Sequence, residues 1–291
     1  MNIISGEKFQ YLADVYIGNK EFHKKCNIYN NTLYKDKCID ISNFNENEIK
    51  KIKNSQLVFI YTHLYTLNKN KILSILSYVE NNFNIIFHNS DYKIDETYLD
   101  LFTKTNCKKI FGQNVCYIDD RIQYLPIGIA NSKWKHGNKD LLKNIIKDNV
   151  NKNNDIFFNF SINTNYTKRL ICYNTFKNIL NFTKYNNQRT YLLQLQKCKY
   201  CICPEGNGPD CHRLWECLYL NVIPICKRSI FIENIAKDFP IYIIDNWDDL
   251  QINDNLYNNY YKYYNYFINY QNFQTSTKLG ATQIKFLIVY K

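Results

Sequence analysis

Short apolar runs recur along the chain and alternate with segments whose apolar positions fall at helical spacing. "QLVFIYTH", residues 56–63, is brief, aromatic and β-branched, which predicts a buried strand. "NKILSILSYVENN" follows, with Ile72, Leu73, Ile75, Leu76 and Val79 repeating at helical spacing. "FNIIFHNSD", residues 83–91, reads as another strand, ending in polar residues, and "DETYLDLFTK" opens with the acidic residues a helix N-terminus prefers. "KKIFGQN" and "IQYLPIGIA" predict further strands. Residues 131–154 then turn polar, as a domain crossing would. A second alternation runs through "DIFFNFS", a helical segment over 167–182, "LLQLQKCKYCICP", "VIPIC", a helical "FIENIAKDF" and "IYIID". A Tyr-rich stretch over 247–273 and the closing "STKLGATQIKFLIVYK" predict helices. Strand and helix in this rhythm specify parallel sheets covered by helices, an α/β fold. The expected division is 1–140, 141–270, and a C-terminal helix over 271–291 that packs back on the first domain.

The chain has only 8 glycines and 5 prolines, yet "CPEGNGPDCHRLWECLYLNVIPIC" places two glycines and a proline in Gly206-Asn207-Gly208-Pro209. "KYCIC" predicts a strand running into this loop, and "CHRLWECLYL" an amphipathic helix leaving it, with Leu214, Cys217 and Leu218 on one face. Asp210 stands where an N-cap belongs, able to accept from the amides of His212 or Arg213. Strand-to-helix loops at the C-terminal edge of a parallel sheet are where open α/β sheets bind ligands. Glycine there lets backbone N–H groups approach an anion, and the helix N-terminus adds its positive end. A diphosphate suits such a place. The loop lacks the Gly-Lys-Ser/Thr of a Walker A motif, and Cys211 stands where a GxGxxG would have its third glycine. Each residue also has a plainer role: Arg213 and Glu216 as an i,i+3 surface pair, His212 as a satisfied neighbour of the cap, Asn207 as a left-handed turn residue.

Charge and cysteine content change this picture little. The net charge of +11 suits an anionic substrate or a nucleic acid. The lysines are scattered, however, without a basic run or an aromatic–basic module, which argues against nucleic acid. The N-terminal residues lack the pattern of a signal peptide and no window has the length of a membrane span, so the 11 cysteines are expected reduced in a cytoplasmic setting. Cys198 and Cys201 have CxxC spacing but no second pair, so buried packing is expected of the cysteines rather than metal binding.

The glycine block resembles the signature of exostosin-like glycosyltransferases, "PRGNG-D-HR-WEAL-LG-IPI". "HNSDY" (88–92), "QNV" (113–115), "LPIGIANSKWKHGN" (125–138) and "FNFSINTNYTKR" (158–169) resemble blocks of viral and microbial relatives in that group. The resemblance implies a GT-B-type fold, two Rossmann-like domains facing a cleft, with the acceptor on the first and a UDP- or GDP-linked sugar donor on the second. It implies inverting, metal-independent transfer without a further cofactor, to a glycan or glycoprotein-linked hydroxyl. Gly206, Asn207 and Gly208 would line the phosphates; Arg213, Arg169 and Lys168 would neutralise them; Asp210 and His212 would complete the donor site; and Glu216 would accept from ribose or sugar hydroxyls. The general base would come from strand ends of the first domain, in the order Asp91, His88, His63, with His136 placed in the interdomain loop. Two residues depart from the pattern: Glu205 replaces a cation, and Asn221 replaces the glycine after the helix. A host-cytoplasmic setting follows if the chain is viral. Two other functions stay open, a catalytically inactive protein that keeps nucleotide-sugar binding and a basic nucleic-acid-binding protein.

Overall fold

The computed structural model describes residues 3–18, 36–148, 150–252 and 257–260, and the chain falls into two compact units. The first unit holds residues 4–127 and 131–133; the second holds 128–130 and continues from 134.

In the first unit the described strands are β1 (Val15–Gly18), β2 (Cys38–Asp40), β3 (Leu57–Tyr61), β4 (Phe83–His88), β5 (Cys107–Gly112) and β6 (Ile122–Tyr124). They pair in parallel in the order β2-β1-β3-β4-β5-β6. Helices α1 (Gly6–Leu12), α2 (Glu46–Ile52), α3 (Thr62–Leu67), α4 (Lys69–Leu76) and α5 (Asp100–Lys104) accompany them. The central strands are apolar on both faces because both faces are covered. Val58, Ile60, Ile85 and Phe87 join one core with Ile72 and Leu76 of α4, while Phe59 and Ile86 join a second with Phe9 of α1. Strand order reverses once, between β1 and β3, the kind of point at which doubly wound sheets open a crevice beyond their strand C-termini.

The second unit carries β7 (Asn153–Phe157), β8 (Cys198–Ile202), β9 (Ile223–Lys227) and β10 (Tyr242–Ile244), parallel and in the order β10-β9-β8-β7. Its helices are α6 (Lys139–Ile146), α7 (Tyr166–Phe176), α8 (Gln188–Lys197), α9 (His212–Tyr219) and α10 (Ile230–Ala236). Among the described strands this order shows no reversal, so strand order marks no crevice in this sheet. Lys152 ties helix ends to the sheet: its ammonium donates to the carbonyls of Gln196 at 2.7 Å, Leu220 at 2.9 Å and Cys198 at 3.2 Å. Burial brings this lysine down to about 8.

The α/β class and the two parallel sheets match the sequence reading, with several boundary corrections. The strand expected over "IQYLPIGIA" stops at Tyr124, before Pro126, which has no N–H to pair, and Gly128, at φ 68. The polar segment 131–154 contains α6, which buries Leu142 and Ile145, and the helix expected over 167–182 ends at Phe176. Of the Tyr-rich stretch, a 3-10 turn at Trp247–Asp249 and helical residues 257–260 are described. Most of the remainder, and the helix expected over 271–291, lie outside the described residues.

Candidate functional site

The first unit brings residues from three strand C-termini together. His63 is the second residue of α3, immediately after β3, and its N–H donates to Ser90 Oγ at 3.1 Å. Asn114, beyond β5, donates through Nδ2 to the Ser90 carbonyl at 3.1 Å. Asn89 and Asn114 turn the chain sharply at φ 56 and 57, in the left-handed region that asparagine tolerates better than most residues. Gly6 makes the first turn possible, because a Cβ there would lie 1.7 Å from Asn89 Oδ1.

Of the three base candidates, His88 is removed by its surroundings. It is 1% exposed, its Nδ1 accepts from the Asn89 N–H at 2.8 Å, and its Nε2 lies 2.9 Å from the Pro126 carbonyl. Those contacts fix the tautomer with the proton on Nε2 and leave neither nitrogen for an acceptor hydroxyl. His88 is therefore a structural histidine, a correction to its place among the bases. His63 is half-buried between the rings of Tyr61 and Tyr92, at 5.8 and 6.3 Å. Burial lowers its pKa, the Asp91 charge opposes this, and Lys133 lowers it further. The neutral imidazole that a general base requires thus prevails at neutral pH. Asp91 is exposed in the same turn. The order of candidates becomes His63 with Asp91 beside it.

In the second unit, β8 runs into the 203–211 loop and α9 leaves it, as the sequence predicts. Asn221, after α9, takes φ 57, the left-handed conformation expected of it in place of glycine. The cap differs: Cys211 is the N-cap, while Asp210 is 2% exposed and accepts the indole N–H of Trp215 at 2.8 Å. One oxygen of this buried carboxylate is thus committed to positioning Trp215. Gly206 is buried; its N–H donates to the Gly208 carbonyl at 3.1 Å, and its own carbonyl accepts from Asn165 Nδ2 at 2.7 Å. Asn207 is exposed at the tip and Gly208 is half-buried. His212 lies with Nδ1 2.7 Å from the Gly128 carbonyl, in this same unit, and its ring is 6.1 Å from that of His136, which stacks on Trp134.

The two arginines divide in role. Arg169 is 4% exposed and commits its guanidinium to the loop, with Nη1 to Ser161 O at 2.7 Å, Nε to Glu205 O at 2.8 Å and Nη2 towards Pro204 O at 3.5 Å. A Cβ on Gly206 would sit 3.4 Å from that Nη2, close to ordinary contact, so the protein's own arginine lies directly against the glycine. Lys168 pairs with Glu205 at 2.5 Å, so the departure at Glu205 is met by a local cation. Arg213, in the first turn of α9, is half-buried, and its Nε is buried with no hydrogen-bond partner. Its Cζ lies 5.9 Å from the centre of the Phe160 ring, the same distance as that of Arg169.

The i,i+3 pair between Arg213 and Glu216 does not form. Glu216 is 5% exposed and accepts from the Tyr191 hydroxyl at 2.8 Å instead. Burial raises its pKa to about 7, against the Tyr191 hydrogen bond and the Arg213 charge, which lower it. Two guanidinium groups thus share one aromatic ring, one bound to carbonyls and the other without a carboxylate in contact. Tyr191, which holds Glu216, carries no sequence signal of its own, whereas Phe160 falls within the 158–169 block. Comparison with protein-family models finds no match, and comparison with curated proteins finds no relative.

Proposed function

We propose that the chain is a glycosyltransferase that moves a sugar from a nucleotide-diphosphate donor to a hydroxyl of a glycan or glycoprotein-linked acceptor. The observation that carries this reading is Arg213. A guanidinium with a buried Nε that has no hydrogen-bond partner, in the first turn of a helix that follows a glycine loop, has a donor to offer an anion. A second arginine beside the same phenylalanine adds to the positive charge. A diphosphate would supply the anion, held by Arg213 and by the α9 N-terminus. Stabilising the departing diphosphate in this way would supply much of the rate. His63, aided by Asp91, would take the proton from the acceptor hydroxyl as it attacks the anomeric carbon. The motif resemblance adds the GT-B architecture, with acceptor and donor on separate Rossmann-like units and an inverting course. Glu216, already bonded to Tyr191, would meet a donor hydroxyl only through its second oxygen.

The test is a thermal-shift screen against UDP, GDP, CMP and their common sugar conjugates, with Arg213→Ala in parallel. A nucleotide that stabilises the native chain and loses its effect in the variant is expected. No stabilisation by any of them would sink the donor-site reading. Binding that persists in His63→Ala and Asp91→Asn while turnover disappears would separate the enzyme from a binding-only protein.

A further inference from the structure

The second unit gathers cysteines with a regularity that its loop chemistry does not use. Cys201 and Cys203, two apart across the end of β8, point to the same side, and Cys217 meets them from α9. Their three sulfurs all lie within 4.8 Å of one another. Cys203 Sγ is 3.7 Å from Cys201 Sγ and 3.9 Å from Cys217 Sγ. A thiolate–metal bond of about 2.3 Å places the edges of a tetrahedral or trigonal sulfur set at about 3.8 to 4.0 Å. A disulfide needs about 2.05 Å. The two Cys203 separations fall at the first spacing, which is also that of hydrogen-bonded thiols, and exclude a disulfide.

We propose that Cys201, Cys203 and Cys217 form a buried site for a thiophilic d10 metal ion, which staples the end of β8 to α9 and so holds the 204–211 loop between them. All-sulfur ligation selects ions of this class over hard cations such as Mg2+. Binding of a divalent ion proceeds as M2+ plus three thiols giving a tris-thiolate complex of charge −1 and three protons. The CxxC pair does not build the site: Cys198 Sγ turns to the Gln194 carbonyl at 3.5 Å. What assembles it is alternation along a strand, with a third sulfur contributed by the next helix.

The experiment uses the full chain, reduced and metal-free under nitrogen, titrated with Co2+ as a spectroscopic substitute for Zn2+, and separately with Cu+ against a competing chelator. The expected result is one ion per chain. Co2+ would give a sulfur-to-metal charge-transfer band reversed by Zn2+, and the second unit's thermal midpoint would rise by roughly 5 °C or more. Cys203→Ser and Cys217→Ser should lose the ion, while Cys116→Ser, an exposed cysteine of the first unit, should keep it. Co2+ binding without Cu+ binding identifies a zinc-type site, and the reverse a cuprous one. No charge-transfer band and no Cu+ retention by the wild-type chain overturns the proposal, leaving packed thiols. That outcome rests on the wild type alone, so a variant that fails to fold cannot hide it. It is also independent of the nucleotide screen.

Discussion

Replacing Glu216 by glutamine tests how the α9 helix stores charge. Glu216 is 5% exposed, and burial raises its carboxyl to about 7, whereas the unfolded chain returns it to an ordinary value near 4.5. Between those values the folded state binds the extra proton, so stability falls as pH rises through this window and levels off above 7. About 2.5 units at 1.36 kcal/mol each give roughly 3 kcal/mol lost between pH 4.5 and 8. Glutamine keeps an acceptor for the Tyr191 hydroxyl but does not ionise. The assay is urea denaturation of both proteins at half-unit steps from pH 4.5 to 8, with reductant and chelator present. All three tryptophans, Trp134, Trp215 and Trp247, belong to the second unit, so their emission follows the unfolding of that unit. The stability difference between variant and wild type should grow in the variant's favour by roughly 3 kcal/mol across the series. A difference that stays flat with pH would refute the reasoning, and would mean that Glu216 ionises without penalty.

Three further outcomes follow from the packing and the site. Gly6→Ala should destabilise the first unit by about 2 kcal/mol or more, because the new Cβ meets Asn89 Oδ1 at 1.7 Å; adding Asn89→Gly, which keeps the left-handed turn, should recover part of the loss in chemical denaturation. Arg169→Met should lower second-unit stability by about 3 kcal/mol, since the carbonyls of Ser161 and Glu205 lose a charged donor, and Arg169→Lys should restore little because the fork is lost. Lys168→Ala should change stability by less than about 1 kcal/mol, its partner Glu205 being partly exposed.

The sequence made the repeating architecture legible where apolar runs were dense, as in β3, β4, β8 and β9. It was silent over the first 55 residues, where β1 and β2 are only four and three residues long and Phe9 is the one apolar side chain that α1 buries fully. The glycine loop and its following helix were legible because strand, breaker and helix follow one another within one stretch. The use made of each side chain was not. Arg169 and Arg213 look alike in sequence, yet one is consumed by carbonyls and the other keeps an Nε without a hydrogen-bond partner; the difference is set by where the 161 and 204–205 carbonyls fall in space. Asp210 and His88 likewise found internal partners that no spacing rule announces.

The order β7-β8-β9-β10 also has a consequence for how the protein is made. On a ribosome, each strand of the second sheet emerges to find its neighbour already synthesised, so the sheet can grow in one direction without waiting for a distant segment. The glycine loop, though, is closed by a strand that comes after it: the Cys203 N–H is held at 2.9 Å by the carbonyl of Ile225 in β9. A nascent chain halted before β9 would carry the arginines and cysteines without the edge that arranges them, and would leave the β9-facing edge of β8 unpaired. The folded form of the loop therefore arrives late in translation, with the strand that completes it.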